Sequence, residues 1–120
     1  MKIRIHQNSV RFRLSKSEVE KLETTGYLEE STAFPNAKFI YAASQHEHSE
    51  LTASFENNKI TLFVPSAFLQ NWTVNNIVGT DANMPLPDGG SLYLLIEKDF
   101  KCLDNVDEDQ SDNYDNPKTC

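Results

Sequence analysis

With 120 residues and 13.7 kDa, 38% hydrophobic and 10% aromatic, the chain has the material for one small core and not for two. Eighteen acidic against 11 basic side chains give a formal charge of -7 and a pI near 4.8, which excludes nonspecific nucleic-acid binding by the whole surface, because a polyanion needs a positive footprint. No stretch approaches the roughly 20 apolar residues that cross a bilayer, and no signal-peptide core opens the sequence, so a soluble cytoplasmic protein without membrane contact is expected.

Residues 2–14, KIRIHQNSVRFRL, alternate on both sides of a polar turn at Gln7, Asn8 and Ser9. Ile3, Ile5, Val10, Phe12 and Leu14 share one face and Lys2, Arg4, His6, Arg11 and Arg13 the other, the period of two that an antiparallel hairpin requires. All the arginines of the chain, Arg4, Arg11 and Arg13, fall on that polar face. Ser15 and Glu18 have the spacing of a capping box, which predicts a helix over 16–23 with Val19 and Leu22 as its apolar stripe and Gly26 as its stop. Residues 27–34 and 38–44 predict a second hairpin around Pro35-Asn36, followed by a polar loop, 45–50, that carries His46 and His48.

A third hairpin is expected from 51–56 and 59–64, joined by Asn57-Asn58, a pair that tolerates positive φ. Residues 67–72 predict a short helical turn that packs Phe68, Leu69 and Trp72 over an open end of the sheet. Ile77, Val78 and Met84 suggest a short, irregular strand, and Asp88-Gly89-Gly90 a turn into the last strand, 91–100. There Leu92, Leu94 and Ile96 face one side and Tyr93 and Leu95 the other, which predicts cover on both faces. The fold class that follows is mainly β (α+β), an antiparallel sheet rolled into a small barrel or sandwich with two short helices. Residues 1–103 form a single domain on this reading, and 104–120 an acidic, partly disordered tail. No βαβ unit or glycine-rich phosphate loop is expected among the four glycines.

The segments IRIHQNSVRFRLSKSEVEKL, LYLLIEKDFKCL and NYDNP resemble a family of small, uncharacterised bacterial proteins. Its members share an Asn-Ser-(Ile/Val)-Arg-x-Arg-Leu start and a Glu-Lys-Asp-Phe segment near the end, and the likeness spans nearly the whole chain. Gln7 stands where such relatives carry glycine. The resemblance implies a bacterial cytoplasmic protein and no particular activity.

Guanidinium groups grip phosphates and carboxylates bidentately, so Arg4, Arg11 and Arg13 with Lys2 are the candidate ligand-binding group for an anionic small molecule or protein. The acidic run of the tail, Asp104 to Asp115, carries enough charge to fold back and mask that face. Alternation places Glu97 and Asp99 on one face as well, completing the expected site; a small hydrolase working through this pair beside the arginines is the alternative to a binding module. No catalytic residue, cofactor or metal is assigned. Asp107, Asp109 and Ser111 lack the glycine and glutamate of a calcium loop, and His46, His48, Cys102 and Cys120 match no zinc spacing. An unpaired edge strand offers a route to a homodimer.

Overall fold

The computed structural model describes residues 1–100 together with Asp112 and Tyr114. Among these residues, eight strands form two four-stranded sheets that face each other as an open sandwich. One sheet has the order β1(Lys2–His6), β2(Ser9–Leu14), β8(Ser91–Lys98), β7(Gly79–Pro85); the other has β3(Tyr27–Ala33), β4(Lys38–His46), β6(Lys59–Pro65), β5(Thr52–Glu56). Helix α1(Lys16–Thr25) carries the chain from the first sheet to the second, and the single turn α2(Ser66–Leu69) carries it back. Glu18 accepts the Ser15 N–H at 2.9 Å as half of the predicted capping box, and Gly26 closes α1 in the left-handed region at φ 78°.

The sandwich and its first three hairpins are those the alternation predicts, and β7·β8 adds a fourth, but neither sheet is purely antiparallel. The central pairs β2·β8 and β4·β6 run parallel. Local periodicity identifies hairpins, whereas the pairing of one hairpin with another is a long-range choice that leaves no mark in either segment.

The same choice is made twice, in an internal repeat. Val10, Phe12, Leu14, Val19 and Leu22 recur as Ile60, Leu62, Val64, Leu69 and Trp72, each pair fifty positions apart and every member buried. The registers repeat as well: Val10 lies against Leu94 and Phe12 against Ile96, as Ile60 lies against Tyr41 and Leu62 against Ala43. The turns do likewise, with Gln7 at φ 50° and Asn57 at φ 52°. The unit hairpin–helix–hairpin therefore occurs twice, and each sheet takes its first hairpin from one copy and its second from the other.

The core lies between the sheets. Phe12, Leu14, Leu94 and Ile96 come from one sheet, Leu28, Ala43, Leu62 and Val64 from the other, and Val19, Leu22, Leu69 and Trp72 fill the helical end. Trp72 is fully buried, packs on Phe68 with ring centroids 4.8 Å apart, and donates its indole N–H to the Ile77 carbonyl at 2.8 Å.

Three local expectations differ. β4 runs through His46, which lies in the strand and not in a loop, because its ring packs on Phe63 at 5.8 Å. The weak strand near Ile77 and Val78 is a regular one displaced to Gly79–Pro85, with Ile77 and Val78 exposed before it. β7 is an edge strand with polar Asp81 and Asn83 outward, so little apolar sequence marks it. In β8 one face only is covered: Leu94 and Ile96 are buried, while Tyr93 and Leu95 lie half-buried on the outer surface.

Candidate functional site

The outer face of the first sheet is built in rows by the strand registers. Lys2, Arg13, Glu97 and Gly79 form one row, Arg4, Arg11, Leu95 and Asp81 the next, and His6, Ser9, Tyr93 and Asn83 the third. The six residues expected to form a site therefore do gather at one end of the sheet, but they divide. Arg13 donates from Nε to Glu97 Oε1 at 2.7 Å, and Lys2 Nζ stands 3.4 Å from Asp99 Oδ2. Arg4 and Arg11 face each other across the hairpin, and neither makes an ion pair with any of the described residues. The one carboxylate in their row, Asp81, accepts instead from the Tyr93 hydroxyl at 2.8 Å, which pushes the Tyr93 phenol up from its ordinary value.

Glu97 and Asp99 are each engaged by a separate cation and not by one another. A shallow depression of about 350 Å³ adjoins Glu97, floored by Gly79, where a Cβ would meet the Ile96 carbonyl oxygen at 2.2 Å. Its lining, Val78, Thr80, Asp81 and Leu95, contains no arginine.

The duplicated half supplies a comparison within the chain. At the positions of Lys2, Arg4, Arg11 and Arg13 it carries Thr52, Ser54, Thr61 and Phe63, in the same registers. The fold therefore holds these four positions without a cation, and the lysine of that face, Lys59, stands at the position of Ser9 and is paired with Glu29 at 3.1 Å.

Two further places were not legible in the sequence. At the helical end, Lys98 is only 4% exposed and donates from Nζ to the Asn75 carbonyl at 2.8 Å. With Lys16, Asn75, Asn76, Val78, Phe100 and Tyr114 it lines a cavity of about 360 Å³. Burial alone pushes the Lys98 ammonium below its ordinary value. Lys98 follows the alternation of a strand end, so sequence offers only the Leu14 register, an unpredictable long-range pairing, as a signal. At the opposite end, Ile5, Val10, Phe39, Phe55, Ile60 and Leu92 line an apolar mouth of about 440 Å³, with Ile5 and Phe55 exposed by 56% and 66%. These six are three pairs of equivalents from the two halves, so the mouth straddles the pseudo-twofold axis.

Of the acidic tail, Asp112 and Tyr114 are described, and neither is on the arginine face. Asp112 accepts from Ser17 Oγ at 2.6 Å and its carbonyl takes the Lys16 N–H at 2.9 Å, at the start of α1. Tyr114 bridges to Phe100, its N–H donating to the Asp99 carbonyl at 2.8 Å. Cys102, Cys120 and the residues that match a calcium loop only in part, Asp107, Asp109 and Ser111, lie outside the described residues. Among the described residues no three histidine, cysteine or acidic side chains gather as metal ligands, and His46 and His48 pack edge to face at 4.9 Å. Among them too, no helix is long and apolar enough to cross a membrane.

No curated protein and no solved structure matches the chain. A family model does: it covers residues 1–118, and its description is that of a family of unknown function, DUF7009. The chain belongs to that family, as the span of the match from the arginine hairpin through Tyr114 requires.

Proposed function

We propose that this protein is a binding module whose ligand carries a phosphate or carboxylate seated between Arg4 and Arg11. The observation that carries the reading is the direct opposition of these two arginines in the register of β1 and β2, without a paired carboxylate among the described residues. Like charges directly opposite one another across a hairpin destabilise it by roughly 0.2–1 kcal/mol, and an oxyanion between them reverses the sign of that contribution. The neutral residues at the equivalent positions of the other half, Ser54 and Thr61, support a functional and not a structural reason for the arginines. Arg13 and Lys2, matched by Glu97 and Asp99, act as the flanking frame that keeps those carboxylates away from the ligand.

An open strand face suits recognition of an anionic group better than a reaction, since it neither excludes water nor brings an acid and a base to bear on one atom. Calorimetric titration with inorganic phosphate and with citrate at low ionic strength tests the reading. Saturable binding that weakens about tenfold in either Arg4→Gln or Arg11→Gln, and by less than about twofold in Arg13→Gln, is expected. Equal losses in all three variants, or no binding by the native protein, contradict it.

A further inference from the structure

The two copies of the duplicated unit each leave a cavity beside their helix, and the cavities have diverged. One, of about 460 Å³, is lined by Glu23, Gln45 and Ser66 among others. The other, of about 360 Å³, has Lys98 where Gln45 stands and Lys16 where Ser66 stands. The equivalence is visible in the backbone: Gln45 N–H donates to the Gly26 carbonyl at 2.8 Å, and Lys98 N–H to the Val78 carbonyl at 2.8 Å. The same architecture thus carries no cation on one side and two on the other, in a chain whose net charge is -7.

The basic cavity is also incompletely satisfied. Lys98 is 96% removed from solvent in the sense that only 4% of it is exposed, yet of its three ammonium protons one is placed, on the Asn75 carbonyl, and no carboxylate pairs with it among the described residues. The remaining neighbours are π faces, Tyr114 at 4.7 Å and Trp72 at 5.8 Å from Nζ. The Tyr114 hydroxyl is buried without a hydrogen-bond partner among the described residues, a rare condition for a group that can both donate and accept. Burial pushes its pKa up to about 12, so it remains a neutral O–H donor at physiological pH. Lys16 Nζ lies 5.8 Å from the same ring.

We infer that this cavity is a binding site for a small monocarboxylic acid with a short apolar body, its carboxylate received by the Lys98 ammonium and the Tyr114 hydroxyl. A carboxylate is acceptor-only and supplies what both orphan donors lack. The apolar body lies along Val78 and Phe100, and the Asn75 and Asn76 segment forms the rim. Phosphate fits less well, because its remaining oxygens would face those apolar walls. The site is on the helical end of the molecule and does not depend on the arginine face.

Titration of the intact protein with butyrate, observed through the side-chain NMR signals of Lys98 and Tyr114, tests the site, with butyramide as the uncharged probe of the same shape. Saturable shifts with butyrate at concentrations up to ~50 mM and none with butyramide are expected. Lys98→Met, which keeps the aliphatic bulk, should weaken binding by about tenfold or more, and Tyr114→Phe by about fivefold. Because it removes an unsatisfied buried hydroxyl, Tyr114→Phe should leave the melting temperature unchanged or raise it, so a loss of binding in this variant is not a loss of fold. The Lys98 and Tyr114 signals report this cavity alone, so an Arg4→Gln protein should show their butyrate shifts in full whatever carboxylate binding it loses at the arginine face, which separates the two sites. Absence of saturable shifts, equal shifts with butyramide, or undiminished binding in Tyr114→Phe overturns the inference.

Discussion

Arg4 and Arg11 show how far a single residue can be read before its neighbours are known. Strict alternation in β1 and β2 places both on the outer face, and the turn at Gln7-Asn8 fixes which residue opposes which. That Arg13 is matched to Glu97 and not free depends on β8 lying parallel to β2, a register separated by most of the chain. At this scale Gly79 makes a sharp prediction. A Cβ there would sit 2.2 Å from the Ile96 carbonyl oxygen, and backbone cannot yield as a side chain end can. Gly79→Ala should therefore cost about 1–3 kcal/mol in denaturant unfolding, as overpacking does elsewhere, whereas Gly89→Ala at an open turn meets no atom within 4 Å and pays only for its positive φ of 95°. Trp72→Ala, which empties the most voluminous fully buried site, should cost about 3–5 kcal/mol in the same assay.

Among the elements, hairpins and helix caps were legible and the edge strand and the tail were not. Gly79 to Pro85 carries Asp81 and Asn83 outward and only Thr80, Ala82 and Met84 inward, too little contrast to distinguish it from a loop. The tail reads as solvated because it is acidic, yet one of its carboxylates finds the start of α1, where the amides of the first turn and the Ser17 hydroxyl await an acceptor. This clasp predicts opposite pH limits. Hydrogen bonds from Ser15 and Ser17 hold the Asp112 carboxyl below its ordinary value, so its contribution is present above the unfolded value and is lost as pH falls through the lower folded one. Burial first, then the charges of Asp112 and Glu23, push Tyr114 up to about 12. The docked phenol thus binds its proton more tightly than the free one, and docking weakens as pH rises from the ordinary value near 10 towards about 12. The ring-proton signals of Tyr114 followed across pH should move to their undocked positions at both extremes, and Asp112→Asn should abolish the acid limit while keeping the alkaline one.

Across the whole molecule, the interleaving of two copies sets both stability and the location of sites. Since every central strand pair joins one copy to the other, neither copy can complete a sheet alone. Fragments 1–50 and 51–120 should each be unfolded by circular dichroism and should regain strand signal on mixing; a fragment that folds alone would show that the pairing within a copy suffices. The duplication was present in the sequence as apolar residues repeating at a separation of fifty, but Phe12 against Leu62 and Leu22 against Trp72 share only their burial, so periodicity within each half conceals the repeat between halves. What the copies do not share is charge. The arginines stand on one outer face; their matching positions on the other sheet are Ser54, Thr61 and Phe63, and Lys59 beside them is paired with Glu29. The most direct test of the anion seat follows the three arginine Nε–Hε signals by NMR as inorganic phosphate is added. Arg4 and Arg11 should shift together along one saturable curve while Arg13, held by Glu97, remains in place. Three arginines shifting alike and without saturation would mean that the face merely attracts counterions, and the proposed seat would be wrong.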